Sequence, residues 1–227
     1  GQPFPKPLQR TREWLEVYRQ VTRREAPLNF VGEQYQVPLQ GGLGLGKPLK
    51  SILHPLRKDI PVYLAAEGPK NVTQTAEIAD GWLPLYYSPY REEIYADQLK
   101  NAKEGFEIAA MALVNINDNM NDALYPVKAM LGFYIGGMGS KENNFHKNLM
   151  ARMGYADEAE QIQDLFFEGK RDEAIEIVPD AFADEISLCG PKERIAEKLV
   201  DWKKSRVTSL LVMGDNKLLR TMAELAL

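Results

Sequence analysis

The sequence predicts an α/β fold in which helices cover a parallel β-sheet. Apolar runs without regular polar alternation occur at 62–66, 82–87 and 106–116, with a fourth near 207–213. Such runs are typical of strands buried on both faces, and segments of helical periodicity separate them. The residues alone leave two architectures open, a doubly wound sheet and a β/α barrel. With 227 residues, 44% of them hydrophobic, the chain can bury a full core, and we expect 1–227 to form one domain.

Two elements are predicted ahead of the first apolar run. Apolar residues recur every three or four positions from Trp14 to Val21, which predicts an amphipathic helix over 10–25. Apolar residues alternate on either side of Gly32, which predicts a small hairpin over 28–39. The helix is expected to pack on the outside of the main sheet.

A glycine-rich stretch follows at 41–47. Gly41, Gly46 and Lys47 stand at the spacing of a nucleotide-binding P-loop. Pro48 occupies the position where that motif needs Ser or Thr to bind magnesium, and no buried strand precedes the stretch. We therefore interpret it as a flexible loop.

Residues 61–88 read as strand, turn, helix and strand, and the rest of the sheet is predicted to extend from this unit. Gly68 permits a tight turn, Pro69 suits the first helical position, and Gly81 is expected to end the helix. The helix would start at the carboxyl end of the sheet. Free N–H groups and a partial positive charge at that start make it a natural seat for a phosphate.

The second half of the chain is predicted to be mainly helical between its strands. Further helices are expected near 88–103, from 121 to about 131, and over 144–153, 158–168, 172–177 and 218–227, with the loop Tyr134–Gly139 ending the second of them. Gly190-Pro191-Lys192 repeats the earlier Gly-Pro-Lys turn and begins another helix. Because Gly followed by Pro begins helices generally, this repetition is weak evidence for an internal repeat.

Charged residues give few functional leads of their own. Lys47, Lys50, His54, Arg57 and Lys58 form a modestly basic stretch, which fits either a solvated loop or a seat for an anionic ligand group. The two histidines are too few to argue for a Ser-His-Asp arrangement, and no Cys/His cluster indicates a metal site. Glu67, at the end of its strand, is a candidate ligand-facing carboxylate.

Composition narrows the functional classes. The net charge of −4 and the lack of a strongly basic segment argue against nucleic-acid binding. No apolar run is long enough to span a membrane, and the start of the chain has no secretory signal. The single cysteine, Cys189, excludes an intrachain disulfide and favours a reducing compartment, so we expect a cytoplasmic location.

An ordered series of motifs resembles the luciferase-like monooxygenase superfamily. The series comprises Leu64-Ala-Ala-Glu-Gly-Pro-Lys-Asn71, Thr75-Ala-Glu-Ile-Ala-Asp-Gly-Trp82, Lys47-Pro-Leu-Lys50, Leu53-His-Pro55, Tyr134-Ile-Gly-Gly-Met-Gly139, Asn144-Phe145, Gln163-Asp-Leu165 and Gly190-Pro-Lys-Glu-Arg-Ile195. It covers nearly the whole chain and is most similar to the branch that uses the deazaflavin coenzyme F-420, whose members are often labelled methylenetetrahydromethanopterin reductase-like.

The resemblance implies a (β/α)8 TIM-barrel type of fold and an oxidoreductase that transfers hydride. Its coenzyme would be F-420, with FMN and oxygen chemistry as the alternative, and its substrate would be a small molecule. The coenzyme phosphate would bind at the residues Ala65, Ala66, Glu67, Gly68, Pro69, Lys70 and Asn71. The loop after Tyr134, with Gly136, Gly137 and Met138, would shape the substrate pocket. No catalytic residue is assigned.

The sequence departs from this family at its start. Relatives carry roughly a hundred further residues ahead of the point that matches residue 1, enough for the first four β/α units. The expectation is therefore a C-terminal half barrel with a preceding helix and hairpin. Such a half barrel exposes sheet edges and an apolar face, so we expect a homodimer or pairing with an N-terminal barrel piece. A truncated, non-catalytic flavin-binding or structural homologue remains a third interpretation.

Overall fold

A computed structural model of the chain describes residues 3–42 and 46–226. These residues form two compact units, Gly1–Val62 and Tyr63–Leu227. The prediction of one domain over 1–227 stays a prediction. The centre of the glycine-rich stretch predicted as a loop, 43–45, lies outside the described residues.

The first unit consists of one long helix and a short antiparallel hairpin. Its elements are α1 (Pro7–Arg23), β1 (Phe30–Val31) and β2 (Gln36–Val37), with Phe30 paired to Val37. The predicted helix and hairpin are thereby confirmed. The basic side chains predicted either as a solvated loop or as an anion seat are exposed, and Arg24 lies 2.8 Å from Nδ1 of His54.

Glu13 organises this first unit, and no sequence pattern predicted that role. Its carboxylate accepts the backbone N–H groups of 33–35 at 2.7–2.9 Å and the side-chain amide of Gln9 at 2.8 Å. A Cβ at Gly32 would overlap this carboxylate. Burial alone would raise the pKa of Glu13, but these hydrogen bonds outweigh it and lower the pKa to about 2.

The second unit is a parallel sheet with helices packed on it. Its strands are β3 (Tyr63–Ala65), β4 (Gly81–Leu83), β5 (Glu107–Ile116), β6 (Ser187–Gly190) and β7 (Ser209–Val212). Its helices are α2 (Pro69–Ile78), α3 (Ala96–Leu99), α4 (Met120–Gly137), α5 (Phe145–Arg152), α6 (Ala156–Phe167), α7 (Arg171–Glu176), α8 (Asp180–Glu185), α9 (Lys192–Lys204) and α10 (Asn216–Ala226), and a 3₁₀ helix spans Glu92–Tyr95.

Every pairing in this sheet is parallel. The strands pair in the order β3-β4-β5-β6, and β7 also pairs with β5. The registers join Tyr63 to Gly81, Trp82 to Ile108, Leu113 to Ser187 and Ala109 to Ser209. All carboxyl ends therefore meet at one edge of the sheet, and the predicted α/β fold with a parallel sheet is confirmed.

Several sequence predictions were wrong in detail. Strand β4 ends at Leu83 because Pro84 cannot donate to a sheet ladder, so Tyr86 and Tyr87 are buried but lie outside a strand. Strand β3 is not buried on both faces. It pairs only with β4 among the described strands, and Ala65 is exposed.

Gly81 also plays a different part from the predicted one. Helix α2 ends at Ile78, and Gly81 opens β4. A Cβ at Gly81 would overlap the ring of Tyr63 and lie 2.9 Å from the carbonyl of Glu107. Close strand pairing, not helix termination, therefore requires this glycine.

The core of the second unit lies between the sheet and its helices. Fully buried side chains include Trp82, Tyr87, Leu131, Ile135 and Phe182. Trp82 packs edge-to-face on Tyr95 at 4.8 Å between ring centroids, a favourable aromatic geometry. No helix among the described residues combines the length and apolar character needed to cross a bilayer.

Candidate functional site

The turn between β3 and α2 presents an uncapped helix start at the carboxyl edge of the sheet. Gly68 is the N-cap residue, Pro69 is the first helical residue, and no side chain caps the helix. The first turn holds no acidic residue, and both Pro69 and Lys70 are exposed. Pro69 has no N–H, and the Asn71 N–H donates to the carbonyl of Gly68 at 2.9 Å. The Lys70 N–H and the partial positive charge at this start are therefore what the helix offers to an anion.

Gly68 does not owe its place to a left-handed conformation. Its φ of −69° and ψ of 142° are open to any residue. A Cβ at this position would meet only the ring of Phe145, at the ordinary contact distance of 3.5 Å. The glycine is thus dispensable for the fold, and its small size leaves room at the start of the helix.

Two long-range hydrogen bonds hold the turn in place. Nε1 of the buried Trp82 donates to the carbonyl of Ala66 at 2.8 Å, and Nη2 of Arg152 donates to the carbonyl of Glu67 at 3.0 Å. One donor comes from β4 and the other from α5. The turn is consequently fixed before any ligand arrives, which reduces the ordering cost of binding.

The Glu67 side chain is paired with a histidine. Nδ1 of His146, on α5, lies 2.9 Å from the Glu67 carboxylate. The side chains of Glu67 and His146 are only 13% and 17% exposed, so water screens this pair weakly. Glu67 does lie at the site as the sequence predicted, but its partner is 79 residues away in the chain and was not predicted.

Tyr86 packs beside this pair in a strained conformation. Its φ is 57°, its ring is 3% exposed, and its hydroxyl has no hydrogen-bond partner. The ring lies edge-on to His146 and Tyr134, with centroids 5.7 and 6.0 Å away. Burial, helped by the nearby Tyr134 and Glu67, raises the pKa of Tyr86. Strain and an unpaired buried hydroxyl are features found at functional sites.

The predicted pocket residues Gly136, Gly137 and Met138 lie at the C-terminal end of α4 and not in a loop. Helix α4 continues through Gly137 and ends at Met138, so the predicted break from Tyr134 was wrong. A Cβ at Gly136 or Gly137 would come within 2.5 or 2.6 Å of Phe166 on α6. These two glycines allow α4 and α6 to approach closely, and their role in a substrate pocket stays a prediction.

The structure thus brings Ala66, Glu67 and Gly68 together with residues that the sequence did not single out, namely His146, Arg152 and Tyr86. Local patterns carry no signal for these three, because His146 and Arg152 reach the turn from α5 and Tyr86 from the segment after β4, all distant from the turn in sequence. Within 3–42 and 46–226, no group of three His, Cys, Asp or Glu side chains could hold a metal ion.

Comparisons with known proteins converge on one family. The model of the luciferase-like monooxygenase family matches residues 1–209. A Mycobacterium tuberculosis protein, whose name assigns it to the coenzyme F-420-dependent oxidoreductases, is 43% identical over 99% of this chain. The 5,10-methylenetetrahydromethanopterin reductase of Archaeoglobus fulgidus is 26% identical over 93%.

A solved structure supports the same fold. The coenzyme F-420-dependent tetrahydromethanopterin reductase of Methanopyrus kandleri superposes over 92% of this chain with a TM-score of 0.68 and 25% identity. The chain spans 68% of the mycobacterial protein, 61% of the Archaeoglobus reductase and 58% of the Methanopyrus structure. The predicted fold of the β/α-barrel type is confirmed, and the chain matches only part of these relatives.

Proposed function

This chain belongs to the luciferase-like monooxygenase family, and we propose that it acts as an oxidoreductase that uses the deazaflavin coenzyme F-420. The observation that carries the proposal is its 43% identity, over 99% of its length, to a protein named for dependence on that coenzyme. The reductase structure with a TM-score of 0.68 supports it, because that enzyme is also named as F-420-dependent.

The turn from Ala65 to Asn71 is proposed to bind the coenzyme phosphate. Its uncapped helix start, its lack of acidic residues in the first turn and the exposed Lys70 fit a phosphate well. The half-exposed Phe145 ring beside Gly68 would border the bound group. When bound, the deazaflavin would supply hydride exchange with a small-molecule substrate.

The chain's own residues contribute binding and orientation. Trp82 and Arg152 hold the turn carbonyls, so the helix start keeps a fixed geometry. The backbone N–H of Lys70 would donate to a phosphate oxygen, and the Lys70 ammonium would add long-range attraction. Gly136, Gly137 and Met138 remain the proposed border of the substrate pocket.

A partner for the sheet is also proposed. Among the described strands, β3, β6 and β7 each pair with a single strand, and β3 and β7 are poorly covered. Ala65 of β3 is exposed, as is Leu211 of β7 at 39%, and Met213 just beyond β7 is 72% exposed. Parallel strands are normally buried on both faces. A second copy or an N-terminal barrel piece would cover them.

Light scattering tests this proposal and should give a mass above that of the 25.7 kDa monomer. Interfaces of standard size are often occupied at about 10 μM, so a stable monomer at that concentration would contradict the proposal.

The compartment is proposed from the single cysteine. Cys189 is free and fully buried in β6, where burial raises its pKa. A buried, unpaired thiol fits a reducing compartment such as the cytoplasm. Cell fractionation would test this, and recovery of the protein only outside the cytoplasm would refute it.

Titration with coenzyme tests the proposed function. Quenching of coenzyme fluorescence should show F-420 binding with a Kd of about 10 μM or below, equivalent to about 7 kcal/mol. FMN is titrated in parallel. Tighter binding of FMN than of F-420 would favour the monooxygenase alternative, and binding of neither would favour a non-catalytic homologue.

A further inference from the structure

Three residues of helix α5 contact the proposed phosphate turn. Phe145 lies beside Gly68, the His146 ring contacts the Glu67 carboxylate at 2.9 Å, and Arg152 donates to the Glu67 carbonyl at 3.0 Å. Phe145 contributes contact and Arg152 a permanent positive charge. His146 differs from both, because histidine is the side chain that changes charge between about pH 5 and 8.

The net charge of the Glu67–His146 pair should affect anion binding, because the pair lies next to the start of helix α2. Glu67 immediately precedes the N-cap residue Gly68. A carboxylate there interacts with the same helix-end charge that would attract a phosphate, and it repels the phosphate directly. A protonated His146 makes the pair neutral overall, whereas a neutral His146 leaves one negative charge. The 2.9 Å contact survives in both states, since a neutral ring can donate from Nδ1.

The neighbouring groups do not cancel this change in the net charge of the Glu67–His146 pair. Arg152 stays positive, and Lys147 on α5 is engaged by Glu160 and Gln163 at 2.8 Å. The rings of Tyr134, on α4, and Tyr86, after β4, pack edge-on against the His146 ring. Tyr95 lies close enough to Glu67 and Arg152 for their charges to act on its hydroxyl. Burial raises the pKa of Tyr86 and of Tyr95, which keeps both phenols neutral.

We propose that His146 is a positioning residue that sets the anion affinity of the Ala65–Asn71 turn through the charge state of its pair with Glu67. Protonated, it cancels the carboxylate charge and strengthens anion binding. Neutral, it leaves that charge in place and weakens binding. The proposal rests on the proposed phosphate site, although it does not depend on F-420 being the ligand.

The test compares wild type with His146→Gln, Glu67→Gln and His54→Gln from pH 5.5 to 8. Glutamine can keep the hydrogen bond to Glu67 while remaining neutral, so His146→Gln mimics the neutral ring. His54→Gln is the matched control, because His54 is the only other histidine and belongs to the first unit. Two probes are used: F-420, followed by fluorescence, and inorganic sulfate, whose charge is constant over this range, followed by the amide NMR signals of Lys70 and Asn71.

Wild type and His54→Gln should bind both probes about tenfold more tightly at pH 5.5 than at pH 8, about 1.4 kcal/mol. His146→Gln should show no pH dependence and match wild type at pH 8. Glu67→Gln should bind about tenfold more tightly than wild type at pH 8.

A merely structural role for His146 would weaken binding equally at every pH and leave the slope unchanged, which would overturn the proposal. The absence of sulfate shifts at Lys70 and Asn71 in wild type would overturn it as well. Sulfate binding with the expected slope but no F-420 binding would instead refute the proposed coenzyme and leave the role of His146 standing.

Discussion

The tripeptide Gly-Pro-Lys occurs twice at the start of a helix, at 68–70 and at 190–192, and the two copies have opposite surroundings. At the first copy the glycine is extended, its position could hold a Cβ, and the helix start is open. At the second copy the glycine is buried, with a φ of 119°. A Cβ there would lie 2.9 Å from Sδ of Met120 and 3.0 Å from Cδ of Arg194.

The protein itself fills the second turn. Arg194 donates to the carbonyl of Cys189 at 2.7 Å and to the Asp184 carboxylate at 2.7 and 2.9 Å. Lys198, only 8% exposed, also contacts Asp184, and the first turn of α9 carries Glu193. The start of α9 also lacks a side-chain cap, but Glu193 in its first turn disfavours an external anion there. The comparison teaches that the same residues form a structural joint in one place and a candidate ligand seat in the other.

Replacing each of the two glycines by alanine should give the largest difference between the turns, measured as the free energy of unfolding. Gly190→Ala forces a side chain into a region that only glycine readily adopts and into contact with Arg194, so we expect unfolding to become easier by about 3 kcal/mol. Gly68→Ala should change the free energy of unfolding by less than about 1 kcal/mol, since its conformation suits alanine. Urea denaturation measures both. Equal losses would break the distinction between the turns.

Asp184 should make the second turn sensitive to acid. Burial alone would raise the pKa of Asp184, but hydrogen bonds from Arg194 and Lys198 outweigh it and lower the pKa. A lowered folded-state pKa means that the stabilisation is present above the usual aspartate value of about 3.9 and is lost as pH falls toward the folded value. Asp184→Asn should cost about 2 kcal/mol at pH 7, because Arg194 and Lys198 lose their charge partner.

Denaturation curves at pH 7 and near pH 3 measure this effect. Wild type and Asp184→Asn should differ clearly at pH 7 and converge at the lower pH. A difference that stays constant with pH would show that the carboxylate charge does not stabilise the second turn.

Replacing the lysine of each turn should give the smallest of the expected effects, a difference in F-420 affinity. Lys70→Ala removes one exposed positive charge from the proposed phosphate site, so we expect a threefold to tenfold loss of F-420 affinity, or roughly 1 kcal/mol, that shrinks at high salt. Lys192→Ala is the matched control at the other turn, where Lys192 is also exposed, and should leave affinity unchanged. Equal effects of both variants would mean that only the net charge of the protein matters.

Sequence patterns could predict the framework and the helix start of the candidate site, but not the side chains that pack around that start. The apolar runs at β3, β4, β5 and β7 and the Pro69 helix start follow from local chemistry. Strand β6 was missed because Ser187-Leu-Cys-Gly190 contains no long apolar run, although all four residues are buried. The Gly136-Gly137 pair was interpreted as a break because glycine disfavours helices, whereas contact with Phe166 overrides that preference.

The Glu67–His146 pair lies beyond such reasoning for a different reason. Its two residues are 79 positions apart, and only the packing of α5 against the β3–α2 turn brings them together. The same holds for the contrast between the two Gly-Pro-Lys turns, because Arg194 and Asp184 are placed by the fold around Gly190.

A crystal structure of the 227-residue chain grown with F-420 would test the central claim most directly. The account predicts a phosphate oxygen within about 3 Å of the backbone nitrogen of Lys70, a normal hydrogen-bond distance, and no phosphate at Lys192. Bound coenzyme whose phosphate lies away from the Gly68–Asn71 turn would contradict it.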